Sequence, residues 1–203
     1  MKTSEYLKMM REIKDFSFAT IGHDGLPTAR IIDVMLVEED CLYFLTARGK
    51  EFYSQLTKQK FAALSGMNKN WQMITLRGKV KKVSQDMLGP IFEQNPSMNE
   101  VYPGDSRKIL EVFCLYEGQG EFFDLSGTPI FRETFLLGKQ KEHKKGFVIT
   151  GECISCGICA GVCPQRCIAE GSPYAIRQQN CLHCGLCEES CPSGAVIPAG
   201  RGE

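Results

Sequence analysis

Eleven cysteines occur in 203 residues, and nine of them fall between Cys153 and Cys191. Thiolates gathered this densely hold metal or carry redox chemistry. Their spacing is regular: Cys153, Cys156, Cys159, Cys163 and Pro164 recur, 28 residues further on, as Cys181, Cys184, Cys187, Cys191 and Pro192. Each copy reads C-x2-C-x2-C-x3-C-P. Three thiolates two residues apart, on a loop relaxed by Gly157 or Gly185, can wrap one face of an iron–sulfur cube, and a fourth on a short helix points across to a neighbouring cube. One cube then takes Cys153, Cys156, Cys159 and Cys191, and the other takes Cys181, Cys184, Cys187 and Cys163. Zinc is the competing chemistry. It takes two separated C-x2-C pairs around one tetrahedral ion, which eight cysteines in two even triplets fit poorly.

Two further residues lie in the same stretch. Cys167 is a ninth cysteine that no cluster requires and reads as a small buried hydrophobe beside one, with a redox or ligand-exchange role as the sharper alternative. His183, inside the second triplet, is expected to bond a sulfur or face solvent. Disulfides are a poor account of these thiols. The opening MKTSEYLKMMREIKD is charged throughout and lacks the apolar core of a secretion signal, so a reducing cytoplasm is the expected location. About 55 residues of the tail resemble the two-cluster 4Fe-4S ferredoxins. That resemblance implies short strands near GFVIT, CIAEG, YAIR and AVIPA, with a short helix after each triplet.

A module of this kind moves single electrons and has no substrate chemistry of its own, so the rest of the chain is expected to hold an acceptor. The composition changes sharply before it. Only Cys41 and Cys114, both expected in the core, precede residue 150, and the run GKQKEHKKG (138–146) reads as a solvated basic linker. The division is therefore 1–137, a linker at 138–146, and 147–203.

In the first part, Tyr6, Met9, Met10 and Ile13 repeat at helical spacing behind a Thr3/Ser4 cap, so a helix is predicted over 3–14. Strands follow at 16–22 and in the run LPTARIIDVML, joined by an Asp24-Gly25 hairpin, then at 40–46, 60–66, 71–83, 109–117 and 121–125. Helical stretches interrupt them only near 50–58 and 85–95. Seven strands with so few helices predict a mainly β, antiparallel barrel, and a small α+β ferredoxin-like domain after it. No G-x-G-x-x-G loop is present, which argues against a doubly wound dinucleotide fold.

The order of motifs resembles the pyridoxamine 5'-phosphate oxidase-like FMN-binding split barrels over roughly residues 5–135. The likeness is carried by Phe18-Ala19-Thr20, Gly25-x-Pro27-x-x-Arg30, Leu42-Tyr43-Phe44-x-Thr46, Lys50 at a helix start followed by Leu56, and Leu76-Arg77-Gly78-Lys79-Val80. The resemblance implies FMN, its phosphate held by Arg30 and Lys50 with Thr46 as hydroxyl donor, and a homodimer with flavin at the interface. Trp71 and Gln72 would then reach the partner's flavin ring. A guanidinium fork, an ammonium and a hydroxyl are also what a phosphate dianion requires on chemical grounds. Alternatively Arg30 and Lys50 are solvated charges and Trp71 a core or interface aromatic. The stretch GTPIFRETFLLG lacks the Arg-Leu-x-Pro ending of the true oxidases, so a reductase is expected in place of an oxidase.

Composition sets the remaining bounds. Lys plus Arg and Asp plus Glu are 24 each, so no net positive field attracts nucleic acid, and no apolar run is long enough to span a membrane. The expected function is an oxidoreductase that passes electrons from two 4Fe-4S clusters to FMN for a small organic acceptor, supplied by a redox partner protein. Two alternatives stay open: a non-enzymatic electron carrier or redox sensor, and a barrel holding a deazaflavin or haem in place of FMN. The segment from Phe122 to Phe135 is expected to form a docking surface for the clusters, with Arg132 and Glu133 in a surface ion pair or lining a pocket. His23 is expected to be an exposed loop residue.

Overall fold

The computed structural model describes residues 1–200, and the chain divides into two units. The first consists of Met1–Phe122 and Thr134–Lys141; the second consists of Phe123–Glu133 and the chain from Glu142 on.

The first unit opens with helix α1 (Thr3–Ile13), which buries Tyr6, Leu7 and Met10 along one side. Its cap differs from the Thr3/Ser4 expectation. Lys2 takes the cap position and its N–H donates to the Glu5 carboxylate at 2.6 Å, while the Thr3 hydroxyl donates to the Leu136 carbonyl at 2.9 Å. A tertiary acceptor has drawn the hydroxyl away from the helix end.

Strands β1 (Asp15–Ile21), β2 (Pro27–Asp33), β3 (Leu36–Glu38) and β4 (Cys41–Ala47) precede helix α2 (Glu51–Gln59). Then come β5 (Phe61–Met67), β6 (Gln72–Lys82), the short helices α3 (Leu88–Gln94) and α4 (Met98–Val101), β7 (Leu110–Asp124) and β8 (Phe131–Leu137). The strands form one sheet in the order β2-β1-β5-β6-β7-β4-β3, with β8 also on β7. Its registered pairs are antiparallel, as a barrel of hairpins requires. The Asp24-Gly25 hairpin is present: Gly25 has φ +81°, and Ile21 registers with Pro27 across the turn.

Two of the predicted strands, at 109–117 and 121–125, are one continuous strand, β7. β8 has no counterpart among the predicted strands, and neither has α4. The sheet closes over rings: Phe18 and Phe44 lie 4.8 Å apart, Phe44 and Phe113 6.0 Å, and Tyr6 stacks on Phe135 at 4.6 Å. A second apolar cluster sets Leu88, Ile91 and Phe92 of α3 against Met35, Leu45 and Val112. Asn95 fastens it, donating to the carbonyls of Met35 and Ile91 and accepting from Arg11. Cys114 is buried in the barrel and Cys41 half-buried.

The second unit has two small antiparallel pairs, β9 (Phe147–Ile149) with β12 (Val196–Pro198) and β10 (Ile168–Ala169) with β11 (Ala175–Ile176). Between them lie helices α5 (Ile158–Val162) and α6 (Leu186–Glu189), each carrying the third cysteine of its run. The four strands are those expected of the ferredoxin-like tail; the two helices differ from the expectation, starting inside the triplets behind Gly157 and Gly185 and leaving the fourth cysteines, Cys163 and Cys191, beyond their ends. Each helix follows a glycine in the left-handed region, Gly157 at φ +78° and Gly185 at φ +85°, where any side chain would be strained. Among the described residues no helix is long and apolar enough to cross a membrane.

Candidate functional site

The 28-residue repeat is repeated in three dimensions. Cys153, Cys156, Cys159 and Cys191 line one cavity, with Ile149, Tyr174 and Val196 among its walls. Cys163, Cys181, Cys184 and Cys187 line a second, with Phe147, Ile168 and Ile176. The structure thus brings together the two sets of four that the spacing predicts, the fourth cysteine of each run crossing to the other set. Four sulfurs around an apolar-walled cavity suit a 4Fe-4S cube, whose thiolate ligands need low solvent exposure and few competing donors. Among the described residues, no three His, Cys, Asp or Glu side chains converge as they would around a single ion.

The fourth cysteines share an environment that the spacing did not announce. Burial works to raise the Cys191 thiol, but the Ser193 hydroxyl and the N–H groups of Val196, Ala195 and Ser193 outweigh it and hold the group below its ordinary value. Burial likewise opposes ionisation of Cys163, where the N–H and thiol of Cys167 and the N–H groups of Gln165 and Arg166 prevail. In both, the Cys-Pro turn aims the following amides at the sulfur and favours the thiolate that ligates metal. The proline after each fourth cysteine was the available signal. The third cysteine of each triplet behaves oppositely: burial pushes Cys187 up to about 11, with Cys181 adding to it, and raises Cys159. Cys167 is 2 % exposed, lines the second cavity and lies 3.5 Å, sulfur to sulfur, from Cys163.

His183 has φ +57°, and Ser155, its counterpart in the first triplet, has φ +54°. The backbone N–H of His183 donates to Cys181 Sγ at 3.4 Å. Its ring accepts at Nδ1 from Arg132 Nη1 at 2.5 Å, an arrangement no sequence spacing indicated. Arg132 also lies over the Phe123 ring at 4.6 Å.

In the barrel, the register sets Arg30 opposite Phe18, so the guanidinium follows Phe18 to the inner side of the sheet. There it donates to Thr20 Oγ1 and, at 3.0 Å, to Gln55 Oε1, and it stacks 4.5 Å from the Phe52 ring centre. Burial lowers its pKa and nearby Glu51 opposes that shift; the group stays charged at any physiological pH. Lys50 is exposed and caps the start of α2, the helix that carries Phe52 and Gln55. Thr46, at the end of β4, is 3 % exposed and its hydroxyl has no partner, nor has the buried Gln55 Nε2. Orphaned donors beside a guanidinium and near a helix start are what an anion would satisfy. Arg30, Thr46 and Lys50 therefore lie on the elements that meet at α2.

Gln72 is elsewhere. Three strands over and four residues along from the Arg30 level, it is roughly 20 Å away through the sheet, and it accepts from Asn68 Nδ2 at 2.8 Å in the β5–β6 turn. Trp71, with φ +61° in that turn, is 62 % exposed and so is not a core aromatic. His23 is exposed and bonds Ser54 at 3.1 Å.

Residues 152–195 match the family model of the 4Fe-4S dicluster domain. The chain also resembles solved structures. A NimC/NimA family protein from Clostridium acetobutylicum is 26 % identical with a TM-score of 0.59, over 66 % of this chain and 92 % of that one. A pyridoxamine 5'-phosphate oxidase-related, FMN binding protein from Nostoc punctiforme is 16 % identical with a TM-score of 0.50, over 68 % and 90 %. A heme binding protein from Mycobacterium smegmatis is 12 % identical with a TM-score of 0.52, over 67 % and 58 %. No curated protein matches the chain. The first unit has the fold of the pyridoxamine 5'-phosphate oxidase-like split barrels. The chain is such a barrel fused to a 4Fe-4S dicluster domain.

Proposed function

We propose that the protein is a cytoplasmic oxidoreductase in which two 4Fe-4S clusters deliver single electrons to an FMN held by the barrel, for reduction of a small organic acceptor such as a nitro compound, quinone or enone. The observation that carries this reading is the closure of two four-cysteine cavities in a chain whose other unit has a fold used by FMN-binding proteins. FMN, when bound, supplies the step from one-electron delivery to two-electron reduction. The chain's own part is to fix it: Lys50 and the remaining N–H donors of Arg30 meet the phosphate charge, and the Thr46 hydroxyl gains the partner it lacks. Gln72, remote from these residues, serves a second copy's ring in a homodimer. The cluster ligands are Cys153, Cys156, Cys159 and Cys191 for one cube and Cys163, Cys181, Cys184 and Cys187 for the other.

Protein purified under anaerobic conditions tests this. About eight irons per chain, flavin absorption bands, and turnover of a nitro or quinone acceptor by the dithionite-reduced protein faster than free FMN gives are the expected results. Zinc in place of iron overturns the cluster assignment, and turnover no faster than free FMN leaves an electron carrier or sensor.

A barrel that holds haem or a deazaflavin is the second reading. It is favoured by the inward, already engaged guanidinium of Arg30, and a heme binding protein shares the fold. A Soret band, or deazaflavin recovered by extraction, would establish it.

A further inference from the structure

The two halves of the dicluster unit are related by the repeat, yet they are not equally furnished. Position 155 in the first triplet and position 183 in the second share a left-handed backbone, but one is serine and the other histidine. Ser155 donates to the Gly171 carbonyl at 3.3 Å. His183 receives a guanidinium from outside the repeat.

That guanidinium comes from the tip between β7 and β8, residues Phe123–Glu133, which groups with the cysteine-rich segment. The tip touches the second cavity's surroundings at three points. Asn180, next to Cys181, donates to the Ile130 carbonyl at 2.9 Å. Gln165, which lines the second cavity, accepts the Ile130 N–H at 3.3 Å. Arg132 donates to His183 Nδ1, so the ring proton sits on Nε2, and the stack on Phe123 holds the cation from its other side. No residue of the tip lines either cavity; it reaches the second one through Gln165, Asn180 and His183.

We infer that Arg132 is a potential-setting residue for the second cluster, the one in the Cys163, Cys181, Cys184 and Cys187 cavity, and that it makes the two clusters unequal. The inference rests on the cluster reading above. A reduced cluster carries one more negative charge than an oxidised one, so a fixed cation close by favours the reduced form and raises the potential. His183 positions the charge, and its own N–H to Cys181 Sγ acts in the same direction. The first cluster, with Ser155 in the equivalent place, lacks this aid. Electrons entering the pair therefore rest preferentially on the second cluster.

The test is a redox titration of the whole protein followed by electron paramagnetic resonance, on the wild type, Arg132→Gln and Arg132→Lys, with iron and acid-labile sulfide measured in each. Wild-type protein without cubane iron defeats the cluster reading itself. With both clusters present, the expected result is two unequal midpoints, of which Arg132→Gln lowers the higher and leaves the other in place, while Arg132→Lys keeps both near wild type. Equal wild-type midpoints, no shift in the glutamine variant, a common shift of both clusters, or a lysine variant that moves as far as the glutamine one overturns the proposal. If Arg132→Gln fails to assemble iron, His183→Gln replaces it: the cation loses its tie to the second triplet, and a smaller downward shift of the same midpoint is expected. An unmoved midpoint there also overturns it.

Discussion

Gly78 on β6 and Gly118 on β7 meet backbone to backbone. A Cβ built on Gly78 would overlap the Glu117 carbonyl, and one on Gly118 would overlap the carbonyl of Arg77. Both obstacles are main chain inside a sheet and have no room to turn aside. Gly118→Ala should therefore cost about 1–3 kcal/mol or more by overpacking alone, read as a lower midpoint in urea. An alanine variant as stable as the wild type would show that the two strands separate without penalty.

The same glycines explain where sequence reading stopped. The two strands predicted at 109–117 and 121–125 part at Gly118-Gln119-Gly120, since glycine has low strand propensity. In the fold Gly118 serves the crossing with β6 and Gly120 makes room for the Phe135 ring, so the strand runs through both. Periodic features were legible: the cysteine repeat, the Asp24-Gly25 hairpin, and the alternation in β1 and β6. Local chemistry announces each of these. The partners of Arg30 and Arg132 were not legible, since Gln55 and His183 are brought to them by strand register and by a hairpin tip. Arg30 shows how near a reading can come: its place in an apolar run marked it as unusual, but β2 alternates, and Ile31 beside it points outward at 65 % exposure.

For the proposed flavin site, the double variant Arg30→Ala, Lys50→Ala tests the barrel separately from the clusters. Each charge-assisted bond is worth about 1.5–3 kcal/mol, so flavin affinity should fall by at least about a hundredfold. Iron content should stay at the wild-type level. Flavin that remains through gel filtration would show that the phosphate is held by other residues.

Alkaline stability follows from Cys114. Burial, with Cys41 as second cause, pushes this thiol from its ordinary 9.0 up to about 12, and burial takes Tyr43, paired with it across β4 and β7, to about 12 as well. A group whose folded pKa lies above its unfolded one contributes stability that is complete below the unfolded value and lost as pH rises through the folded one. Under reducing conditions the urea midpoint should hold up to about pH 9 and decline from there toward about pH 12. In Cys114→Ala the decline should be shallower, because one of the raised groups is gone while Tyr43 and the raised cysteines of the second unit remain. An identical slope in both proteins would remove Cys114 as a cause.

The two fourth cysteines reach the same end by different donors, and this defines the role of Cys167. Cys191 has Ser193, with the hydroxyl 3.6 Å from its sulfur; the equivalent of Ser193 in the first run is Gln165, which points to Ile130. Cys163 has Cys167 in its place, and the equivalent of Cys167 in the second run is Ala195, buried and inert. Burial and the nearby Cys163 push the Cys167 thiol up to about 12, so at neutral pH it keeps its proton and is the donor of the pair. Cys167→Ala gives the second cavity what the repeat already uses at 195. Iron and sulfide should be unchanged, stability should fall by about 1 kcal/mol for one lost hydrogen bond, and the second cluster's midpoint should drop as its ligand sulfur loses a donor. Loss of iron in that variant would instead make Cys167 a ligand.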